Sequence, residues 1–136
     1  MPVSTPHDEL LAMALAAREQ AHAPYSGFAV GAALLARDGR RFAGCNVENS
    51  SYGLCNCAER TALFAAVAAG CKPGDFAAIA VIADCAAPVS PCGACRQVMS
   101  ELCDGDMPVL LANLRGDTAQ TSVAALLPGT FTLPPR

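Results

Sequence analysis

Between Asp8 and His22, Leu10, Leu11, Ala14, Leu15 and Ala17 recur at helical spacing, with Thr5 placed as a cap and Pro24 as a stop. This predicts a first amphipathic helix. Phe28 to Ala36 and Arg41 to Cys45 are apolar runs joined by Arg37-Asp38-Gly39-Arg40, where Asp-Gly supplies the positive φ of a tight turn, so the two runs should pair antiparallel. Asn46 to Asn56 holds polar, Gly and Tyr residues without a period and reads as a loop. Cys57 to Ala69 is rich in Ala and Leu and predicts a second helix, stopped by Gly70. Phe76 to Ala83 reads as a buried strand, Pro91 to Cys103 as a helix with Pro at its start, and Met107 to Ala112 as a further strand. After the hairpin, strands and helices alternate as β-α-β-α-β. The class is therefore α/β, a mixed sheet with helices on its faces and right-handed crossovers.

A length of 136 residues predicts one domain spanning 1–136, with roughly two-thirds of the unfolded chain's surface buried. No repeat, low-complexity tract or linker interrupts it, and Pro134-Pro135-Arg136 reads as a loose end. Hydrophobic residues make up 53% and charged residues 15%, the latter well under the usual ~25%, so some apolar surface should meet a partner subunit. The net charge is −3, Lys72 is the only lysine, and no basic run exists to neutralise phosphates, which argues against a nucleic-acid polymer as partner.

Eight cysteines would fit a disulfide framework in a secreted chain. The N-terminal stretch argues otherwise, because Asp8 and Glu9 precede its apolar residues and no basic region does. Thr61 to Cys71 and Phe76 to Ala83, the longest uncharged apolar stretches, are far short of the ~20 residues that span a bilayer. A cytoplasmic location with reduced thiols is the expectation, and there clustered cysteines more often hold metal.

The cluster with the strongest chemistry pairs Cys57-Ala58-Glu59 with Pro91-Cys92-Gly93-Ala94-Cys95. Three thiolates suit a catalytic zinc, which keeps three protein ligands and leaves a fourth position for water. A non-ligating Glu two residues after the first ligand, followed by Pro-Cys-x-x-Cys, is the signature of zinc-dependent deaminases. Glu59 is then the proton carrier, taking a proton from the zinc-activated water and handing it on. If both helices start at their cysteines, the helix dipoles favour thiolate there. Arg60 is the candidate cation to offset the charge of three thiolates. Cys55 keeps a second possibility open, a structural site with four sulfurs. Cys45, Cys71, Cys85 and Cys103 read as small core or surface residues, and His7 and His22 as solvated without a ligand role.

Around these motifs lie Ala23-Pro24-Tyr25-Ser26, Phe28 to Ala33, Gly44-Cys45-Asn46-Val47-Glu48-Asn49, Ser51-Tyr52-Gly53-Leu54, Ser90, Arg96-Gln97, Leu126-Leu127-Pro128 and Phe131. From about residue 23 to 131 the chain closely resembles the small homotetrameric cytidine deaminases. The resemblance implies a three-layer α/β/α fold and hydrolysis of cytidine and deoxycytidine to uridine and deoxyuridine with release of ammonia, in pyrimidine salvage. It also implies about one zinc per chain on Cys57, Cys92 and Cys95, with Glu59 as proton shuttle. Asn46 and Glu48 match a pair that binds the ribose 3′-hydroxyl, Phe28 an aromatic against the pyrimidine, and Ala58 a backbone contact to the base. Phe131 matches an aromatic given to a neighbouring subunit's site, which puts the sites at subunit interfaces. Rival readings are a deaminase of a modified cytosine nucleoside, such as blasticidin S, a zinc-stabilised interaction module without activity, and, more weakly, a polynucleotide editor.

Overall fold

The computed structural model describes residues 5–134, so the expectation of a loose end at Pro135 and Arg136 lies outside the described residues. Helix α1 (Pro6–Arg18) begins where the Thr5 hydroxyl accepts from the Asp8 N–H and the Asp8 carboxylate accepts from the Thr5 N–H, both at 3.1 Å. Such a reciprocal cap contributes about 1 kcal/mol, and Pro6 costs nothing in the first turn, where its missing N–H has no helical partner. The helix ends at Arg18 instead of continuing to His22. There the chain turns extended, because His22 pairs its N–H with the Asn46 carbonyl and its carbonyl with the Glu48 N–H.

The predicted hairpin is present as β1 (Val30–Ala36) and β2 (Arg41–Cys45), paired antiparallel from Gly31 opposite Cys45 to Leu35 opposite Arg41. Gly39 takes the positive φ of the turn, at 93°. Strand β1 starts at Val30 and not at Phe28 because side chains take the Phe28 backbone. Its N–H donates to Ser26 Oγ at 3.0 Å, and its carbonyl accepts from Asn46 Nδ2 at 2.7 Å. The loop after β2 holds one short 3-10 turn at Tyr52–Leu54.

Then follow α2 (Ala58–Ala68), β3 (Phe76–Ala83), α3 (Gly93–Leu102) and β4 (Pro108–Asn113), within a residue or two of the predicted bounds. Pro91 lies just ahead of the α3 cap at Cys92, not inside the helix. Two elements were absent from the sequence reading: β5 (Thr118–Ser122) and the single turn α4 (Val123–Leu126). Thr118-Ala119-Gln120-Thr121-Ser122 has no apolar face, because it is an edge strand largely exposed to solvent.

Among the described residues the strands form one sheet in the order β2-β1-β3-β4-β5. β1 runs antiparallel to β2 and β3, β3 parallel to β4, and β4 antiparallel to β5. Strands β2, β3 and β4 thus point the same way, with α2 and α3 as their crossovers, and the α/β class and three layers are as expected. On one face Leu10 and Ala14 of α1 pack on Ala33, Ala80 and Ile82. On the other, Ala62, Leu63 and Ala66 of α2 and Met99 of α3 pack on Leu34, Ile79, Val81 and Val109. Side chains of the Leu63 and Met99 kind stabilise by about 1.5–3 kcal/mol each when fully buried.

Gly44 sets how α2 lies on the sheet. A Cβ at that position would strike the Ala58 carbonyl oxygen and the Ala62 nitrogen, so only glycine lets the helix backbone come down onto β2. Following β2 and β3 in the chain, α2 and α3 start beyond the carboxyl ends of strands that run the same way, the edge where ligands bind in open α/β sheets.

Candidate active site

The two helix starts bring the predicted thiols together. Cys57 is the N-cap of α2, Cys92 the N-cap of α3, and Cys95 lies in the first turn of α3. Their sulfurs all lie within 4.8 Å of one another, with Cys57 and Cys92 at 3.6 Å. Tetrahedral zinc with Zn–S bonds of ≈2.3 Å requires sulfurs about 3.8 Å apart, so the donor set fits zinc in both chemistry and spacing. Cys55 does not join it. Its sulfur accepts from the Asn49 N–H at 3.3 Å and faces the Asn49 carbonyl at 3.7 Å, which removes the fourth sulfur a structural site would need.

The cluster is braced on all sides. Thr61 grips the Cys57 carbonyl twice, through its N–H at 3.0 Å and its hydroxyl at 3.1 Å, and Asn56 Nδ2 donates to that hydroxyl at 3.2 Å. Arg60 Nη2 donates to Cys57 Sγ at 3.3 Å, the contact its position in sequence allowed but could not establish. Its Nε is buried with no acceptor among the described residues, so at this site the guanidinium is committed to sulfur through Nη2. Cys95 and Arg60 donating to Cys57 pull that thiol well below its ordinary value. The Cys57 sulfur and burial push Cys95 the other way.

Glu59 is 4% exposed, and burial, followed by the charge on Cys57, raises its carboxyl above the ordinary range. A carboxyl so raised holds a proton more readily than an exposed one, as a group that both accepts and donates protons requires. Glu59 lines a cavity of ≈200 Å³ whose wall also includes Cys57 and Cys92 together with Phe28, Asn46 and Glu48. Ala58 also lines it, and as the first residue of α2 its N–H has no partner within the helix. Every predicted site residue except Phe131 therefore either borders this cavity or touches a residue that does.

Glu48 is held firmly. One carboxylate oxygen accepts from the N–H groups of Tyr25 at 3.0 Å and Ser26 at 3.1 Å, the other from the Ser26 hydroxyl at 2.5 Å. The Ser26 hydroxyl is the main reason its carboxyl lies below the usual value. Asn46 is tied to the same segment, accepting from the Val30 N–H at 2.8 Å while donating to the Phe28 carbonyl. Ser26 itself was not singled out from sequence, although it sits in the Pro-Tyr-Ser run beside Phe28. A single hydroxyl fixes both Glu48 and the Phe28 backbone. A second cavity of ≈360 Å³ adjoins on the far side of Glu48, lined by Tyr25, Ser26, Tyr52 and Cys55, and it holds no cluster of metal ligands.

Phe131 stands apart, 66% exposed, with its carbonyl accepting from Gln97 Nε2 at 3.2 Å. Of the remaining cysteines, Cys71 and Cys103 are buried and Cys45 and Cys85 half-buried, all as free thiols, and burial pushes Cys103 up to about 12. No helix among the described residues is long and apolar enough to cross a membrane.

Residues 4–111 match the model of the cytidine and deoxycytidylate deaminase zinc-binding region. A cytidine deaminase of Sporosarcina psychrophila is 60% identical over 124 residues, 91% of this chain and 90% of that protein. One from Halalkalibacterium halodurans is 58% identical over 123 residues, 90% and 92% of the two chains. Among solved structures, the cytidine deaminase of Burkholderia pseudomallei superposes with a TM-score of 0.91 at 60% identity, covering 94% of this chain and all of that one. The Mycobacterium tuberculosis enzyme superposes with a TM-score of 0.78 at 37% identity, over 96% and 100%.

Proposed function

The chain belongs to the cytidine and deoxycytidylate deaminase family, and from that premise we propose that it hydrolyses cytidine and deoxycytidine to uridine and deoxyuridine with release of ammonia, acting as one domain in cytoplasmic pyrimidine salvage. The observation that carries this is a single cavity bordered by two of the three clustered cysteines and buried Glu59 and also by Phe28, Asn46 and Glu48. That is the layout a nucleoside needs, with its amine toward the metal and its sugar toward the polar pair.

Cys57, Cys92 and Cys95 would hold the zinc, which when bound would supply Lewis acidity to activate water at neutral pH. Arg60, donating to Cys57, offsets part of the thiolate charge and keeps the sulfurs from over-neutralising the metal. Glu59 takes one proton from the attacking water and passes it to the ring nitrogen, then takes the second from the hydroxyl newly added to the carbon and delivers it to the amino group, whose C–N bond breaks as the C=O forms. Water and cytidine are thus consumed as uridine and ammonia form, and the carboxyl ends as it began. Its raised affinity for protons suits a group that both accepts and donates.

Phe28 lies against the pyrimidine, the Ala58 backbone N–H meets the base, and Asn46 and Glu48 take the 3′-hydroxyl. Glu48, already anchored by Ser26 and Tyr25, meets the sugar without first losing rotamer freedom. Phe131 reaches the cavity of a neighbouring copy in a homotetramer, for which its exposed ring and the low charged fraction of the chain speak. Ultraviolet absorbance of cytidine incubated with the purified protein, with metal analysis of the same sample, tests the reaction. Conversion with about one zinc per chain supports it, whereas full zinc without conversion of either nucleoside overturns it. Sedimentation at assay concentrations tests the tetramer, and a monomer that is fully active would remove Phe131 from the site.

A further inference from the structure

Cys92 is the least buried of the three ligands. It is exposed, with the extended backbone of a cap, φ −69° and ψ 167°, and its approach, Val89-Ser90-Pro91, belongs to no strand or helix. Arg96, one turn into α3, reaches back to hold that approach. Its Nε donates to the Pro91 carbonyl at 2.8 Å and its Nη2 to the Ser90 hydroxyl at 2.7 Å, while its backbone N–H closes on the Cys92 carbonyl at 3.0 Å.

The remaining arm of the same guanidinium points elsewhere. Nη1 donates to the Leu126 carbonyl at 2.8 Å, at the end of α4, and the adjacent Gln97 holds the Phe131 carbonyl. Two consecutive residues of α3 therefore grip both ends of the 126–131 segment, and one of them also fixes the metal-side loop. A planar guanidinium with donors in a rigid fork can serve three acceptors at once, which an ammonium on a flexible stem cannot do in this geometry.

We infer that Arg96 is a positioning residue that sets Cys92 for the metal and, together with Gln97, sets Phe131 for the substrate. The second half rests on the deaminase function proposed above; the first does not. Neither residue touches the reacting atoms.

The test compares R96K and Q97A with the wild type, well below their melting temperatures. Zinc transfer to a chromogenic chelator and the KM and kcat for cytidine are both measured. R96K should release zinc about tenfold faster and show a raised KM, whereas Q97A should raise KM with zinc release unchanged. Zinc release and KM both at the wild-type value in R96K, whatever its melting temperature, would reduce Arg96 to a structural role. Should R96K not fold, S90A removes one acceptor alone, and faster zinc release is again the supporting result and an unchanged rate the overturning one. If the wild-type holoprotein converts no cytidine, the deaminase function fails, and the zinc-release comparison still decides the Cys92 half.

Discussion

The start of α1 and the starts of α2 and α3 use the same backbone device to opposite ends. At α1, Thr5 and Asp8 close on each other and leave little for any ligand. At α2 the cap is Cys57, whose side chain makes no capping bond at all, and at α3 Cys92 accepts only from the Cys95 N–H at a long 3.5 Å. Ser, Thr, Asp or Asn in either place would stabilise its helix by about 1 kcal/mol more. The site therefore gives up helix-end stability so that sulfur faces a field of unpaired N–H groups, where thiolate is favoured. The helix on one face of the sheet starts on a closed cap, and the two on the other face start on sulfur.

The sharpest way to break that contrast is at Glu59, which lies in the first turn of α2 as Asp8 does in α1. E59A should lower kcat by about 10⁴-fold while zinc stays bound, measured by steady-state assay and metal analysis. If activity survives, Glu59 is a helix-end carboxylate like Asp8 and the contrast fails. Next in size, R60Q should cost roughly 10- to 100-fold in kcat/KM and weaken zinc retention, since the charge offsetting Cys57 is removed. An unchanged chelator titration would place the compensation elsewhere.

A smaller effect is expected at the sugar end. S26A deletes the hydroxyl shared by Glu48 and Phe28 and should raise KM for cytidine about tenfold with little change in kcat, as for a lost charge-assisted hydrogen bond. The same contact predicts a pH dependence. Glu48 is held below its ordinary value of 4.5, so its stabilising contribution is present in full above 4.5 and is lost as the pH falls through the lower folded-state value. The melting-temperature gap between wild type and E48Q should stay constant across neutral pH and close only below 4.5. A gap that persists in acid would mean that packing, not charge, sets it.

Least affected should be activity in T5A. Its melting temperature should fall by a few degrees, for about 1 kcal/mol, with kcat and KM unchanged. A kinetic effect there would show that the α1 cap and the site on the other face of the sheet are coupled after all.

Residue type and short spacing carried most of what was readable in the chain. Cys-x-Glu and Cys-x-x-Cys specify donors and a proton carrier within a helical turn, and Asp38-Gly39 specifies a hairpin. Both depend only on local geometry, so the ligand set, the hairpin and the β-α-β-α-β order were legible without coordinates. Tertiary structure alone settled that Cys55, two residues from Cys57, stays out of that set, because its sulfur turns to Asn49. It also decided that Ser26 bridges Glu48 and Phe28, that Arg96 ties Ser90 to Leu126, and that a polar stretch at Thr118–Ser122 becomes an edge strand. These contacts join segments far apart in the chain, and no local period records them.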